Sequence, residues 1–133
     1  MGVVGVGVDA LEIARMRTAL RRTPGLAARL FTETERVSCT SRCGELRVGG
    51  LAARFAAKEA VAKALGTGLR GFAFRDIEVR SDPLGKPEVV LHDGAAAVAE
   101  RLGVERVHVS LTTSGQLAIA HAVAEGRSGE GAR

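Results

Sequence analysis

Residues 51–65, LAARFAAKEAVAKAL, constrain this chain more than any other segment. Eleven of the fifteen residues are apolar, and they occupy every side of a helical wheel. A helix of that kind is buried, not laid on a surface. Yet it carries Arg54, Lys58, Glu59 and Lys63. An unpaired buried charge is strongly destabilising, so the fold must bring partners or ligands to this helix. Its seven alanines let a neighbouring backbone or a ligand come close. Glu59 and Lys63 stand four residues apart and share a face. That spacing fits an intrahelical ion pair. It equally fits a carboxylate for a metal beside an amine for a phosphate.

The rest of the composition is compatible with such a core. A chain of 133 residues suits one domain, and 46% hydrophobic residues exclude a disordered chain. With no Trp or Tyr, the core is aliphatic around Phe31, Phe55, Phe72 and Phe74. So few aromatics also argue against single-stranded nucleic acid binding, which relies on stacking platforms. A net charge of +4 suits an anionic partner: nucleic acid, a phosphorylated cofactor or an acidic protein. Cys39 and Cys43 are too few for a disulfide scaffold and are read as free thiols. The apolar run from Val3 to Val8 is too short for a signal peptide or a membrane span, so the expected location is cytoplasmic.

Along the chain, Val3 to Asp9 reads as a buried strand and Ala10 to Arg22 as a helix ended by Pro24-Gly25. Leu11, Ala14 and Thr18 are expected on one side of that helix and its arginines on the other. Thr32 and Glu35 fit a capping box. Residues 41–50 read as a loop, Phe74 to Arg80 as a strand, and Asp82 to Pro87 as the turn into a second strand at Glu88–His92. Ala95 to Leu102 reads as a helix stopped by Gly103. Arg106–Thr112 and Gln116–Val123 form a hairpin around Ser114-Gly115. The expected fold class is α+β, an antiparallel sheet packed against helices. One domain is expected at 1–125, with a disordered tail at 126–133.

Gly5-Val6-Gly7-Val8-Asp9-Ala10 has the G-x-G-x-x-A form of a dinucleotide fingerprint, but its glycines lie within the strand, not in a turn after it. The better reading is a strand ending on Asp9. A carboxylate there can hold a hard cation such as Mg²⁺, which takes one or two carboxylates plus phosphate and water. Asp9 could equally be a helix N-cap. Glu12 could support the metal or only favour the helix dipole. Arg15, Arg17, Arg21 and Arg22 make the first helix basic, as a solvated face or as a surface for an acidic protein.

Three segments together resemble the holo-acyl-carrier-protein synthase family of 4'-phosphopantetheinyl transferases: GVGVDALEIARM at 5–16, RFAAKEAVAKALGTG at 54–68 and HVSLT at 108–112. DIEVRSDPLGKPEV at 76–89 fits between them, and the resemblance runs to about residue 124. It implies transfer of the phosphopantetheine arm of coenzyme A to a serine of an apo acyl carrier protein in fatty-acid or polyketide synthesis. Asp9 and Glu59 would be the Mg²⁺ ligands and Lys63 the contact to the CoA phosphates, these three making up the catalytic set. Arg54, Gly85, Lys86, Pro87 and Thr113 would line the CoA site, and Arg15 and Arg22 would meet the carrier. Short family members are trimers with sites shared between subunits. No nucleic acid or membrane partner is implied. For such a transfer a base must take the serine proton, and Glu59, acting through a metal-bound water, is the candidate. The chain departs from the family at Thr113, where relatives commonly carry a histidine; a threonine cannot serve as a base near neutral pH. His108 is retained on a strand, where a structural role is expected. The rival readings are a CoA- or carrier-binding module weakened at Thr113, and a basic nucleic-acid-binding domain.

Overall fold

The computed structural model describes residues 1–68 and 70–127. Its elements run β1 (Gly2–Glu12), α1 (Ile13–Arg22), α2 (Leu26–Leu30), α3 (Glu33–Ser38), α4 (Val48–Ala64), β2 (Ile77–Ser81), β3 (Pro87–Leu91), α5 (Asp93–Leu102), β4 (Val104–Ser114) and β5 (Leu117–Gly126). β1, β5 and β4 form an antiparallel sheet in that order, and β2 and β3 form a separate antiparallel hairpin. The α5 crossover brings β3 beside β4 without a shared ladder. The α+β expectation holds.

The all-round apolar helix is α4, and it is buried on nearly every side. It lies across β1 and β5. Beneath it β5 alternates cleanly: Ala118, Ala120, Ala122 and Ala124 are buried, while Ile119, His121, Val123 and Glu125 take the other face. Small residues on both partners let the layers close up. The closest approach is at β1, where a Cβ on Gly5 would collide with the Ala64 carbonyl and one on Gly7 with the Ala60 carbonyl. Glycine is therefore a steric requirement at both positions.

Two core clusters flank this contact. Val61, Leu65, Ile77, Val79, Val98 and the β5 residues Ala120, Ala122 and Ala124 fill one. Met16, Phe31, Cys39 and Leu51 fill the other. A polar group lies between them. Lys58 and Glu35 are fully buried and pair at 2.8 Å. Glu35 also accepts from Thr32 N at 2.9 Å and Val79 N at 2.9 Å. Lys58 donates to Phe74 O and Ile77 O, and its ammonium lies 5.5 Å from the Phe31 ring centre. Burial pulls the Lys58 pKa down, and the Glu35 carboxylate opposes that pull. Nearby Glu78 accepts from Thr32 Oγ1 and Arg80 Nε and pairs with His92 Nε2. Burial raises the Glu78 carboxyl, but these bonds outweigh it and leave the pKa lowered.

The capping box forms as expected, yet its Glu35 also serves the buried pair. Other boundaries move. β1 does not end at Asp9 but runs to Glu12, held by pairing with β5 down to Leu117. α1 accordingly starts at Ile13, not Ala10, with Glu12 at its N-cap position. Its buried residue is Met16, while Ala14 is exposed. Phe74–Asp76 is a 3-10 turn, not the start of a strand. α2 was not expected, and α4 begins at Val48, inside the expected loop. β5 reaches Gly126, one residue into the expected tail, and residues 128–133 lie outside the described residues. Cys39 is buried and Cys43 exposed, both as free thiols.

Two stability predictions follow from these contacts. Gly7→Ala should destabilise the protein by about 3 kcal/mol, because backbone and not a flexible side chain opposes the new methyl. Gly2→Ala, with open space around it, should be near neutral by the same urea titration. Lys58→Met should cost about 3–5 kcal/mol by leaving Glu35 buried and uncompensated. Adding Glu35→Gln should restore part of that loss; a further loss of the same size would show that the charge is not the cause.

Candidate active site

β1 presents Gly5, Gly7, Asp9 and Leu11 toward α4 and Val6, Val8 and Ala10 away from it. The glycines make room for the helix, and Asp9 is the next side chain on the same face. On α4, Glu59 and Lys63 stand one turn apart near the rim of the contact. Lys63 Nζ donates to Asp9 Oδ1 at 3.1 Å and to Val8 O at 2.9 Å. It thus reaches across to the strand. Among the described residues Glu59 forms no ion pair, so the intrahelical Glu59–Lys63 reading is not what the structure shows. Nor is Asp9 a helix N-cap; it lies within the strand, three residues before Glu12.

Glu59 is half-buried. Burial raises its carboxyl above the usual range, the Asp9 charge raises it further, and Lys63 lowers it. Two carboxylates and one ammonium therefore act on one another directly. No group of three or more His, Cys, Asp or Glu side chains able to hold a metal occurs among the described residues. This donor set does not fit zinc or calcium cages, which need more protein ligands. It does fit Mg²⁺, which keeps water and takes its remaining oxygens from phosphate.

The other sequence candidates lie on separate elements. Arg54 stands nine residues before Lys63 on α4, about 13 Å along the axis. Its Nη1 donates to Gly50 O at 3.3 Å, and its buried Nε has no partner. Thr113 is exposed on β4, opposite Ala118 of β5. Since β5 intervenes between β1 and β4, Thr113 and Asp9 are at least about 10 Å apart across the sheet. Gly85 and Lys86 lie in the turn of the β2–β3 hairpin, with Gly85 at φ 89°, and Pro87 opens β3. One chain thus joins Asp9, Glu59 and Lys63, with Arg54 and Thr113 standing away from them. His108 Nε2 pairs with Glu125 at 3.0 Å on the exposed sheet face.

Arg15 and Arg22 are exposed on α1. Both line a groove that includes Ala14, Thr18 and Ala19. Arg15 also edges an apolar groove of about 300 Å³ formed by Leu11, Met16, Leu26, Leu30, Phe55 and Phe74. Phe55 and Phe74 stack there, with ring centres 5.0 Å apart. The sequence reading missed this apolar groove. Its trace was the Leu26/Leu30 pair at helical spacing and two of the four aromatics beside the basic helix.

The chain matches the model of the 4'-phosphopantetheinyl transferase superfamily over residues 5–122. A curated relative from Clostridium perfringens, a holo-[acyl-carrier-protein] synthase, is 48% identical over 93% of this chain and 95% of its own length. The crystal structure of the holo-[acyl-carrier-protein] synthase from Neisseria meningitidis superposes with a TM-score of 0.83 at 35% identity, covering 92% of this chain and 98% of that one. The Bacillus anthracis enzyme of the same name, solved in complex with CoA (3',5'-ADP), gives a TM-score of 0.75 at 33% identity, over 95% and 99% of the two chains. Family model, relatives and folds agree along almost the whole chain: it belongs to the 4'-phosphopantetheinyl transferase superfamily.

Proposed function

We propose that this chain transfers the 4'-phosphopantetheine moiety of coenzyme A to a serine hydroxyl of an apo acyl carrier protein, releasing adenosine 3',5'-bisphosphate, with Asp9 and Glu59 holding Mg²⁺. The observation that carries this is the cluster of Asp9, Glu59 and Lys63 at the closest helix–strand contact of the fold. Relatives named holo-[acyl-carrier-protein] synthase support the acceptor, and their structures with CoA support the donor.

Mg²⁺ bound there would neutralise charge on the pyrophosphate oxygens during phosphoryl transfer. Lys63 adds a fixed positive charge at the same place. Glu59 is the chain's own candidate for taking the serine proton, since burial has raised its affinity for a proton. Thr113 can hydrogen-bond a phosphate but cannot take that role. On α1, Arg15 and Arg22 would meet carboxylates of an acidic carrier, and the apolar groove beside Arg15 would take its hydrophobic side chains. Free thiols and the absence of a helix long and apolar enough to cross a membrane, among the described residues, fit a cytoplasmic site of action.

A homotrimer with sites shared between subunits is part of this reading. It would unite Asp9, Glu59 and Lys63 of one chain with the Gly85-Lys86-Pro87 segment and Thr113 of another; within one chain β5 keeps Thr113 apart from Asp9. The sheet face opposite α4 is suited to it: Val6 is 66% exposed and Val8 49%, beside Ala10, Ile119 and Val123. Residues so apolar on an open sheet face mark an interface.

The transfer is tested by incubating apo carrier protein with CoA, Mg²⁺ and this chain and weighing the carrier. A gain of the phosphopantetheine mass is expected, lost with EDTA and reduced at least about 10³-fold by Asp9→Ala or Glu59→Ala. CoA binding without any mass gain would instead favour a binding module weakened at Thr113. The assembly is tested by Val8→Lys. Sedimentation should show a folded monomer, and transfer should fall with it; an unchanged trimer with Lys at this position would place the interface elsewhere.

A further inference from the structure

Lys63 does not lie along its own helix toward Glu59. It is held across the helix–strand contact by two acceptors on β1, Asp9 Oδ1 at 3.1 Å and Val8 O at 2.9 Å. An ammonium there takes one oxygen of the carboxylate that a divalent cation would need. The bond engages Oδ1 and leaves Oδ2 to a metal, but a divalent cation on either oxygen of that carboxylate stands within several ångströms of the ammonium and is repelled by it. Metal binding is therefore weakened while Lys63 stays on Asp9, and an ammonium that leaves needs another anion. Glu59, the one other carboxylate of the cluster, would be engaged by the same metal. A pyrophosphate entering the site supplies the missing anion.

We infer that Lys63 gates the metal site: it holds Asp9 closed to divalent cations until the pyrophosphate of the donor draws the ammonium away, so that metal and CoA bind cooperatively. This rests on Asp9 and Glu59 being the metal pair. The coupling is reciprocal, so metal tightens CoA by the same factor that CoA tightens metal. Lys63 is 52% exposed and Asp9 22%, so the lysine can move without disturbing the core. The gate also bears on specificity: a ligand with no phosphate group near Lys63 would leave it closed.

The test is a titration of the whole protein with Mn²⁺, free metal being followed by electron paramagnetic resonance, with and without saturating CoA. In Lys63→Met, Mn²⁺ affinity without CoA should rise about tenfold, while the tightening caused by CoA shrinks by about the same factor. Lys63→Arg keeps a cation able to reach Asp9 and should retain most of the coupling. A mere field effect of the lost charge would raise affinity equally with and without CoA. Unchanged CoA-dependent tightening in Lys63→Met would overturn the gate, and loss of Mn²⁺ binding in Asp9→Asn would still leave the metal pair standing. No Mn²⁺ binding to the unaltered protein even with CoA would overturn the metal pair and the gate together.

Discussion

The approach of α4 to β1 is the contact on which the rest of the structure depends. Helix carbonyls at Ala60 and Ala64 rest where Cβ atoms would otherwise be, and only Gly5 and Gly7 permit it. β5 continues the same surface with four buried alanines. Such a contact contributes little through any one side chain; its stability comes from many small atoms excluded from water over a wide area. It also sets geometry. With glycines at 5 and 7, the next inward residue of the strand is Asp9, and it meets the turn of α4 that carries Glu59 and Lys63. A bulkier strand would hold the helix away and separate the charges.

Closeness alone does not fix how a helix made largely of alanine is rotated, since alanine faces differ little from one another. The buried Lys58–Glu35 pair does. Lys58 binds a carboxylate from α3 and two carbonyls near the start of β2, each with a defined direction. That leaves one rotation of α4 in which the ammonium is satisfied. Glu59 follows at about 100° around the helix. Its position at the rim is thus set by the burial of its neighbour. Buried ion pairs contribute little net stability against apolar substitutes, but they discriminate among alternative packings. In an alanine-rich core that discrimination matters most.

Much of this could be read in the sequence, for identifiable reasons. α4 was legible because a run apolar on all sides, stopped by glycines, has no other stable home. The capping box at Thr32 and Glu35 is a local pattern and formed as read. Asp9 and Glu59 stood out as carboxylates in apolar surroundings. The end of β1 was not legible: Ala10-Leu11-Glu12 suits a helix start as well as a strand, and only pairing with β5 decides for the strand. Glu35 and Lys58 lie 23 residues apart, and the capping box gave Glu35 a local explanation that concealed the pair. The direction of Lys63 was hidden likewise, since its four-residue spacing from Glu59 suggested a partner on its own helix and not on a strand 54 residues away.

The departure at Thr113 takes on a physical meaning within this layout. Asp9 and Thr113 lie on the two outer strands of the sheet, with β5 between them. Thr113 is exposed and sits beside the β4–β5 turn, so its side chain bears no load in either core cluster. A change there leaves the Gly7–Ala60 contact, the Lys58–Glu35 pair and the Asp9–Lys63 bond as they are. The carboxylate cluster and Thr113, which the proposed function assigns to one site, are mechanically independent within one chain. They can interact only through a bound ligand or through neighbouring subunits. That independence allows Thr113 to stand where the resemblance implies a histidine while every contact that assembles the carboxylate cluster persists.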